Sequence, residues 1–217
     1  MKDEYTTITE LSLGEFKDRG SKFFAYAFSA YNQEDIQKAM EHVKKEHMKA
    51  RHHCYAWRLG TDMNNFRAND DGEPSGTAGK PILGQIDKLE LSNVFVVVVR
   101  YFGGTLLGTS GLINAYRNSA AIALENAEKI TRLVEDVYTI HFDYSIMSNV
   151  MNALKKMNIP MLSQDFDAEP SLQIAIRQNL VKDTLLQLKA LIGGLRLEEV
   201  DEKTVVGGLR MRYSSTR

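Results

Sequence analysis

The residues best suited to chemistry lie in one loop, residues 70–81, which reads DDGEPSGTAGKP. Its polar members are Asp70, Asp71, Glu73, Ser75, Thr77 and Lys80. Carboxylates in this number could bind Mg²⁺ or act as a general acid and base. Asp, Ser and Thr beside glycine also cap turns and helices, which is their commoner use. Both interpretations stay open at the level of the sequence.

A second candidate site lies in residues 94–116, VFVVVVRYFGGTLLGTSGLINAY. The β-branched run at its start predicts a strand buried on both faces, and helical spacing begins near Thr109. Free N–H groups at a helix N-terminus, together with flexible glycines, suit an anion. The same glycines would also permit tight turns and close helix packing. The predicted anion- or partner-binding loop comprises Arg100, Tyr101, Gly103, Gly104, Gly108, Thr109, Ser110 and Gly111.

Two histidines and the single cysteine lie in residues 51–59, a predicted strand. Alternation along a strand places His52 and Cys54 on one face and His53 on the other. A zinc site needs about four ligands, and the chain has no second cysteine to supply one. We therefore expect neither a metal site nor a cofactor. Because strand neighbours point to opposite faces, Cys54 is not expected to be a nucleophile.

Basic residues form the other candidate surface. Asn32 is a predicted N-cap, and apolar residues at helical spacing follow it. Another face of this helix carries a stripe of lysines, and two arginines follow it along the chain. The members of this basic patch are Lys38, Lys45, Lys49, Arg51 and Arg58. The patch is either a solvated face, the usual meaning of a charge run, or a set of contacts to nucleic-acid phosphates.

Composition narrows the class of protein. The chain has 217 residues and a formal net charge of −1, so no global charge draws it to nucleic acid or membrane. One cysteine excludes an internal disulfide and fits a reducing compartment. No apolar run approaches the roughly 20 residues that span a bilayer, and the N-terminus does not resemble a signal peptide. We therefore expect a cytoplasmic protein without membrane association.

The second part of the chain follows a simple order. The predicted segments are strand 137–142, helix 146–157, strand 159–166, strand 172–177, helix 181–192 and strand 195–200. This order, βαββαβ, is the ferredoxin-like arrangement. Residues 210–217 form a basic tail that we expect to be frayed. The mixed-charge segment 128–135 marks the predicted boundary between domains 1–131 and 132–217.

Four sequence blocks together resemble the YigZ/IMPACT family. They are SKFF at 21–24, HHCYAW at 52–57, DDGEPSGTAGKP at 70–81, and RYFGG with the Leu-Gly pair that ends at Gly108. The chain departs from the family at Ser110, where glycine is usual, and at Asn114, where a basic residue is usual. The resemblance implies an α+β fold. Its first domain would be similar to the second domain of ribosomal protein S5, and its second would be ferredoxin-like, as in domain V of elongation factor G.

The resemblance also carries expectations about function, since the family's eukaryotic members are translation regulators that bind a protein partner. The leading hypothesis is a non-catalytic binding protein acting on RNA, the ribosome or a translation factor. One alternative is a hydrolase or phosphate-handling enzyme. It would use Asp70, Asp71 and Glu73 opposite residues 103–111, which we call the glycine loop, with His52 as base. We favour no catalytic activity because no nucleophile with an adjacent base is evident. Another alternative is an adaptor that binds only protein. The oligomeric state is not predicted.

Overall fold

The computed structural model describes residues 3–61, 64–167 and 169–217. The chain divides into two compact units, Glu4–Arg132 and Leu133–Arg217. Asp3 groups with the second unit. Each unit combines helices with largely antiparallel sheet, which confirms the α+β class.

The first unit contains most of the helices and strands. They are β1 (Glu4–Ile8), β2 (Ser12–Asp18), β3 (Ser21–Ser29), α1 (Gln33–Glu46), β4 (His52–Arg58), β5 (Phe66–Asn69), α2 (Gly79–Lys88), β6 (Val94–Tyr101), α3 (Gly108–Asn126) and β7 (Lys129–Leu133). The main sheet is antiparallel and has the order β2-β3-β6-β4-β5, while β1 and β7 form a separate pair. The residues of β6 from Val94 to Val99 are fully buried, as the β-branched run predicts.

Two hydrophobic layers enclose this sheet. Val94, Val96 and Val98 pack in the cluster that contains residues of α2 and α3. The alternate residues of β6 pack in a second cluster with the buried face of α1. Asn32 caps α1, as predicted, because its side-chain oxygen accepts the Asp35 N–H at 2.9 Å.

Gly14 lies inside β2, where a Cβ would approach the Ala123 backbone nitrogen of α3 to 2.6 Å. Glycine is needed at this position because α3 packs directly against the strand.

The second unit has the predicted βαββαβ order. Its elements are β8 (Glu135–Phe142), α4 (Met147–Lys156), β9 (Met161–Asp165), β10 (Ser171–Arg177), α5 (Val181–Gly193) and β11 (Leu209–Thr216). The antiparallel sheet has the order β11-β8-β10-β9, which is ferredoxin-like. Its core lies between the sheet and the two helices.

The last strand of this unit was predicted at the wrong place. Residues 195–200 contain a short 3₁₀ helix at Leu197–Glu199, and the strand is formed by the expected frayed tail. Leu209 and Met211 contact the core, while Arg210 and Arg212 alternate with them. The arginines made an amphipathic strand resemble a basic tail. In the described part of the chain, no helix is both long enough and apolar enough to cross a membrane.

Candidate functional site

The candidate residues meet at one end of the five-stranded sheet, where β6 ends and β4 begins. His52 lies opposite Arg100, and Lys22 of β3 lies opposite Tyr101. The loop that follows β6, the segment that precedes β4 and the turn between β2 and β3 therefore converge. We call this region the sheet end and define it by Lys22, Lys49, Arg51 and residues 102–111.

Asp70 fixes the start of α2. Its carboxylate accepts the backbone N–H groups of Gly76, Ala78 and Gly79 at 2.8, 3.0 and 2.8 Å. Burial raises the pKa of this carboxyl, but the three donors outweigh burial and the net pKa is lowered. Asp70 is thus a capping residue for a helix that lacks a side-chain cap at Ala78.

Asp71 and the two histidines hold the same loop against β4. The Asp71 carboxylate accepts the His53 backbone N–H at 2.6 Å, and His52 Nδ1 lies 2.8 Å from the Asp71 carbonyl oxygen. Burial lowers the pKa of His53, against the opposing effect of the Asp71 carboxylate. These contacts give His52, His53 and Asp71 a positioning role in the loop.

Glu73 is the buried carboxylate of residues 70–81, which we call the acidic loop. Its side chain is 4% exposed, and Oε1 accepts from Arg100 Nη1 at 2.7 Å and from the Tyr116 hydroxyl at 2.8 Å. Cys54 Sγ lies 3.3 Å from the Tyr116 hydroxyl. Burial raises the pKa of both Cys54 and Tyr116, so the thiol and phenol are protonated at neutral pH. Neither group is an activated nucleophile.

The remaining polar residues of the acidic loop differ in their exposure to solvent. The Thr77 hydroxyl donates to the Pro74 carbonyl at 2.6 Å, whereas Ser75 and Lys80 are exposed. Within residues 3–61, 64–167 and 169–217, no group of three His, Cys, Asp or Glu side chains could hold a metal ion.

The glycine loop owes its composition to two different constraints. Gly103 packs so closely on the turn before β3 that a Cβ would overlap the backbone of Gly20 and Ser21. Gly104 and Gly108 instead adopt positive φ values of 86° and 71°, which glycine favours. Atoms added at these two positions would meet open space. A Cβ is therefore opposed by direct contact at Gly103 and by the backbone conformation at Gly104 and Gly108.

The N-terminus of α3 is accessible. Leu107 occupies the N-cap position without a side-chain cap, and Thr109 and Ser110 are exposed in the first turn with Gly111 partly buried. Helix N-termini leave backbone N–H groups unsatisfied and carry partial positive charge. The loop before the helix exposes 59% of Phe102 and 81% of Leu106. The sequence did not single out these two apolar side chains.

Tyr101 does not share the site with Arg100. It points to the α1 face, where its hydroxyl lies 3.0 Å from His47 Nδ1. Consecutive residues of a strand point to opposite faces, so the two neighbours in sequence are separated by the sheet. The prediction that they form one local site is therefore wrong.

The basic patch is only partly brought together. Arg58 is 5% exposed and donates through Nε to Asp87 at 3.0 Å, so it does not join the lysines. Lys38 is exposed and pairs with Glu34 at 2.7 Å. Lys45, Lys49 and Arg51 are exposed near the end of α1 and the start of β4. Lys22, which the sequence did not indicate, adds a cation on β3.

Comparison with known proteins identifies the family to which the chain belongs. The family model described as the Impact N-terminal domain matches residues 19–124. An IMPACT family member of Haemophilus influenzae is 35% identical over 181 residues, covering 82% of this chain and 88% of that protein. The IMPACT family member YigZ of Escherichia coli is 36% identical over 168 residues, covering 75% and 81% respectively.

One solved structure, described as that of a hypothetical protein, extends the similarity to the whole chain. It has a TM-score of 0.70 at 28% identity and covers 97% of each chain. The molecule is therefore an Impact N-terminal domain followed by a ferredoxin-like domain. The chain belongs to the IMPACT family, which confirms the resemblance of the four sequence blocks.

Proposed function

We propose that this protein is a non-catalytic binding protein that acts in translation by binding single-stranded RNA at the sheet end. The observation that carries the proposal is the presence of exposed cations and an exposed aromatic ring at the same end of one sheet. Lys22, Lys49 and Arg51 lie at the sheet end from which the Phe102 loop also emerges, with Lys22 opposite Tyr101 and Phe102 beside Arg100. The chain's net charge of −1 makes this local concentration of positive charge informative.

Electrostatics favours a polyanion at this surface. None of Lys22, Lys49 and Arg51 forms an ion pair with a described residue, so their charges are available. In the neighbouring acidic loop Glu73 is paired with Arg100, while the Asp70 and Asp71 carboxylates accept backbone N–H groups. Cations of this kind bind nucleic-acid phosphates and release condensed counterions, which gives strong salt dependence.

The exposed apolar loop favours a single strand over a duplex. Phe102 offers a ring on which an unpaired base can stack, and Leu106 extends the apolar surface. In a duplex the base faces are already stacked, whereas single strands present them to aromatic side chains. The combination of a basic rim and an exposed ring is typical of single-strand binding surfaces.

Support for a role in translation comes from the family. As stated with the family resemblance, the eukaryotic members are translation regulators. The S5-like and ferredoxin-like folds also occur together in elongation factor G. A ribosome-associated function would also place the protein in the cytoplasm. The geometry gives less support to the hydrolase alternative. Asp70, Asp71 and Glu73 each bind groups of the chain itself.

Titration with fluorescent oligouridine, and with a duplex RNA of the same length, tests the proposal. We expect the single strand to bind more tightly. Phe102→Ala should weaken this binding by about 5- to 150-fold, the equivalent of about 1–3 kcal/mol for one stacked base. Phe66→Ala removes another half-exposed ring in the first unit and serves as the control. If oligouridine does not bind even at low salt, and a single protein partner stays bound at high salt, the result would instead support the adaptor.

A further inference from the structure

We propose that the second unit carries a docking groove for an amphipathic helix of a protein partner, with acidic residues at one end of that helix. The groove has a volume of about 900 Å³ and follows α5. All of its lining residues lie within residues 133–217, so it is a different surface from the sheet end of the first unit. The inference therefore goes beyond the proposed function and does not depend on it.

One wall of the groove is a face of α5 that the core does not use. Leu185, Leu188 and Ile192 of this helix pack in the hydrophobic core of the unit. A different stripe lines the groove, and its members are Leu180, Thr184, Gln187 and Leu191. The spacing i, i+4, i+7 and i+11 keeps this stripe on one side of the helix for about three turns, or about 17 Å.

The rim of the groove is apolar and open to solvent. Leu180, Leu195 and Leu197 line it and remain 47%, 40% and 51% exposed. The Leu195 N–H donates to the Ala190 carbonyl at 2.9 Å, and Leu197 begins a 3₁₀ turn, so the backbone fixes both side chains near the end of α5. Exposed leucines gathered around one groove are typical of an interaction surface, whereas scattered ones need no explanation.

The shape of the groove favours a helix over a small molecule. Small-molecule sites bury most of the ligand surface, whereas this groove leaves its rim leucines about half exposed. A helical wall accepts a second helix because the side-chain ridges of one pack into the grooves of the other. Thr184 and Ala190 are small residues of this wall, so a partner helix can approach closely. Its apolar anchors at i, i+3 or i+4 and i+7 would follow the α5 stripe.

Charge distinguishes the end of the groove at which α5 begins. Arg177 ends β10 just before α5, and Lys156 ends α4, after which the chain runs beside the end of β10. Neither cation forms an ion pair with a described residue. Of the two carboxylates in the lining, Glu135 pairs with Arg217 at 2.7 Å, which leaves Asp183. Positive charge therefore exceeds negative charge at this end, and a partner helix should be acidic where it meets it.

Selection from a phage-displayed library tests the inference with the full chain. The library presents peptides of about 16 residues, long enough for roughly four helical turns. We expect the enriched peptides to share apolar residues at i, i+3 or i+4 and i+7, with Asp or Glu at one end. Their synthetic forms should gain helical circular dichroism on binding. Absence of an enriched family, or an enriched family without this pattern, would overturn the proposal.

Two matched pairs of variants locate the binding. Leu197→Gln should weaken binding of a selected peptide at least about tenfold, because it removes one apolar anchor of the rim. Val205→Gln changes an 86% exposed valine outside the lining and should leave binding unchanged. Arg177→Gln should reduce the salt dependence of binding, whereas Lys203→Gln, at an exposed position outside the lining, should not. Equal peptide affinity of the two leucine and valine variants would overturn the groove.

Sedimentation of the protein alone checks for another occupant of the groove. We expect a monomer–dimer equilibrium, if one is present, to be the same in Leu197→Gln as in the wild type. A dimer that Leu197→Gln abolishes would mean that a second copy covers the groove, and would overturn the partner helix. A protein that binds oligouridine but no library peptide would overturn the groove and leave the proposed function intact.

Discussion

Arg100 Nη1 donates to Glu73 Oε1 at 2.7 Å, and both side chains are nearly inaccessible to water. This bond joins the end of β6 to the acidic loop, which otherwise follows the edge strand β5. Because Glu73 also accepts from Tyr116, one carboxylate fixes the loop, the central strand and α3 together. The most chemically suggestive loop of the sequence is thereby ordered by a buried ion pair.

We expect Glu73→Gln to lower the free energy of unfolding by about 3 kcal/mol, since it leaves a buried guanidinium without a counter-charge. Arg100→Met alone should cost a similar amount by leaving the carboxylate unpaired. The double variant should be less destabilised than the sum, with coupling of about 1–3 kcal/mol. Urea denaturation of the four proteins measures this coupling, and additive losses would show that the pair does not act as a unit.

Gly103 and Gly104 should differ sharply in their tolerance of alanine. Gly103→Ala places a Cβ into the backbone of Gly20 and Ser21, so the turn must move. Gly104→Ala meets no atoms and carries only the strain of φ near 86°, about 1 kcal/mol. Thermal melts should rank Gly103→Ala as the less stable protein by at least about 1 kcal/mol. The reverse order would contradict the close approach of the turn.

The capping role of Asp70 predicts a pH dependence. Its folded-state pKa is lowered from the ordinary value of 3.8, so its contribution is present above that value. The contribution is lost as the pH falls through the lower folded-state pKa. The stability difference between wild type and Asp70→Asn should be constant near neutral pH and shrink below about pH 4. Urea titrations at several pH values decide this, and a difference that persists to pH 2 would refute it.

The first unit should fold without the second. We propose a boundary near residue 132, and residues 1–133 retain the β1–β7 pair and both clusters around the main sheet. This fragment should unfold cooperatively. A fragment ending at residue 126 should be less stable because it loses β7 and the Thr9–Glu128 backbone bond of 3.1 Å. Equal stability of the two fragments would argue against the boundary.

Local patterns predicted the elements whose signals are local. The β-branched run of β6 and the Asn32 cap of α1 are each set by neighbours in sequence. The tail at residues 210–217 was misinterpreted because its structure depends on tertiary contacts. It forms β11 by pairing with β8, and this pairing is not visible in the local charge pattern.

The candidate site shows the same division. The acidic and glycine loops were identified from composition, and the structure brings Arg100 to Glu73 across 27 residues of sequence. Tyr116 was not among the predicted site residues, yet its hydroxyl also donates to Glu73. Lys22 and Phe102 lie in the SKFF and RYFGG blocks but were not assigned to a site, because their role depends on which strand ends meet. The strict two-residue alternation of β6 could have separated Tyr101 from Arg100.

The most direct measurement is the salt dependence of oligouridine binding. For single strands the logarithm of affinity falls with the logarithm of salt concentration by about 0.7 per neutralised phosphate. Replacing Lys22, Lys49 and Arg51 together with glutamine should flatten the slope by about 2. The control replaces Lys155, Lys203 and Arg212, three exposed cations of the second unit, and should keep the wild-type slope. Equal slopes in the two triple variants would show that the sheet end is only a solvated surface.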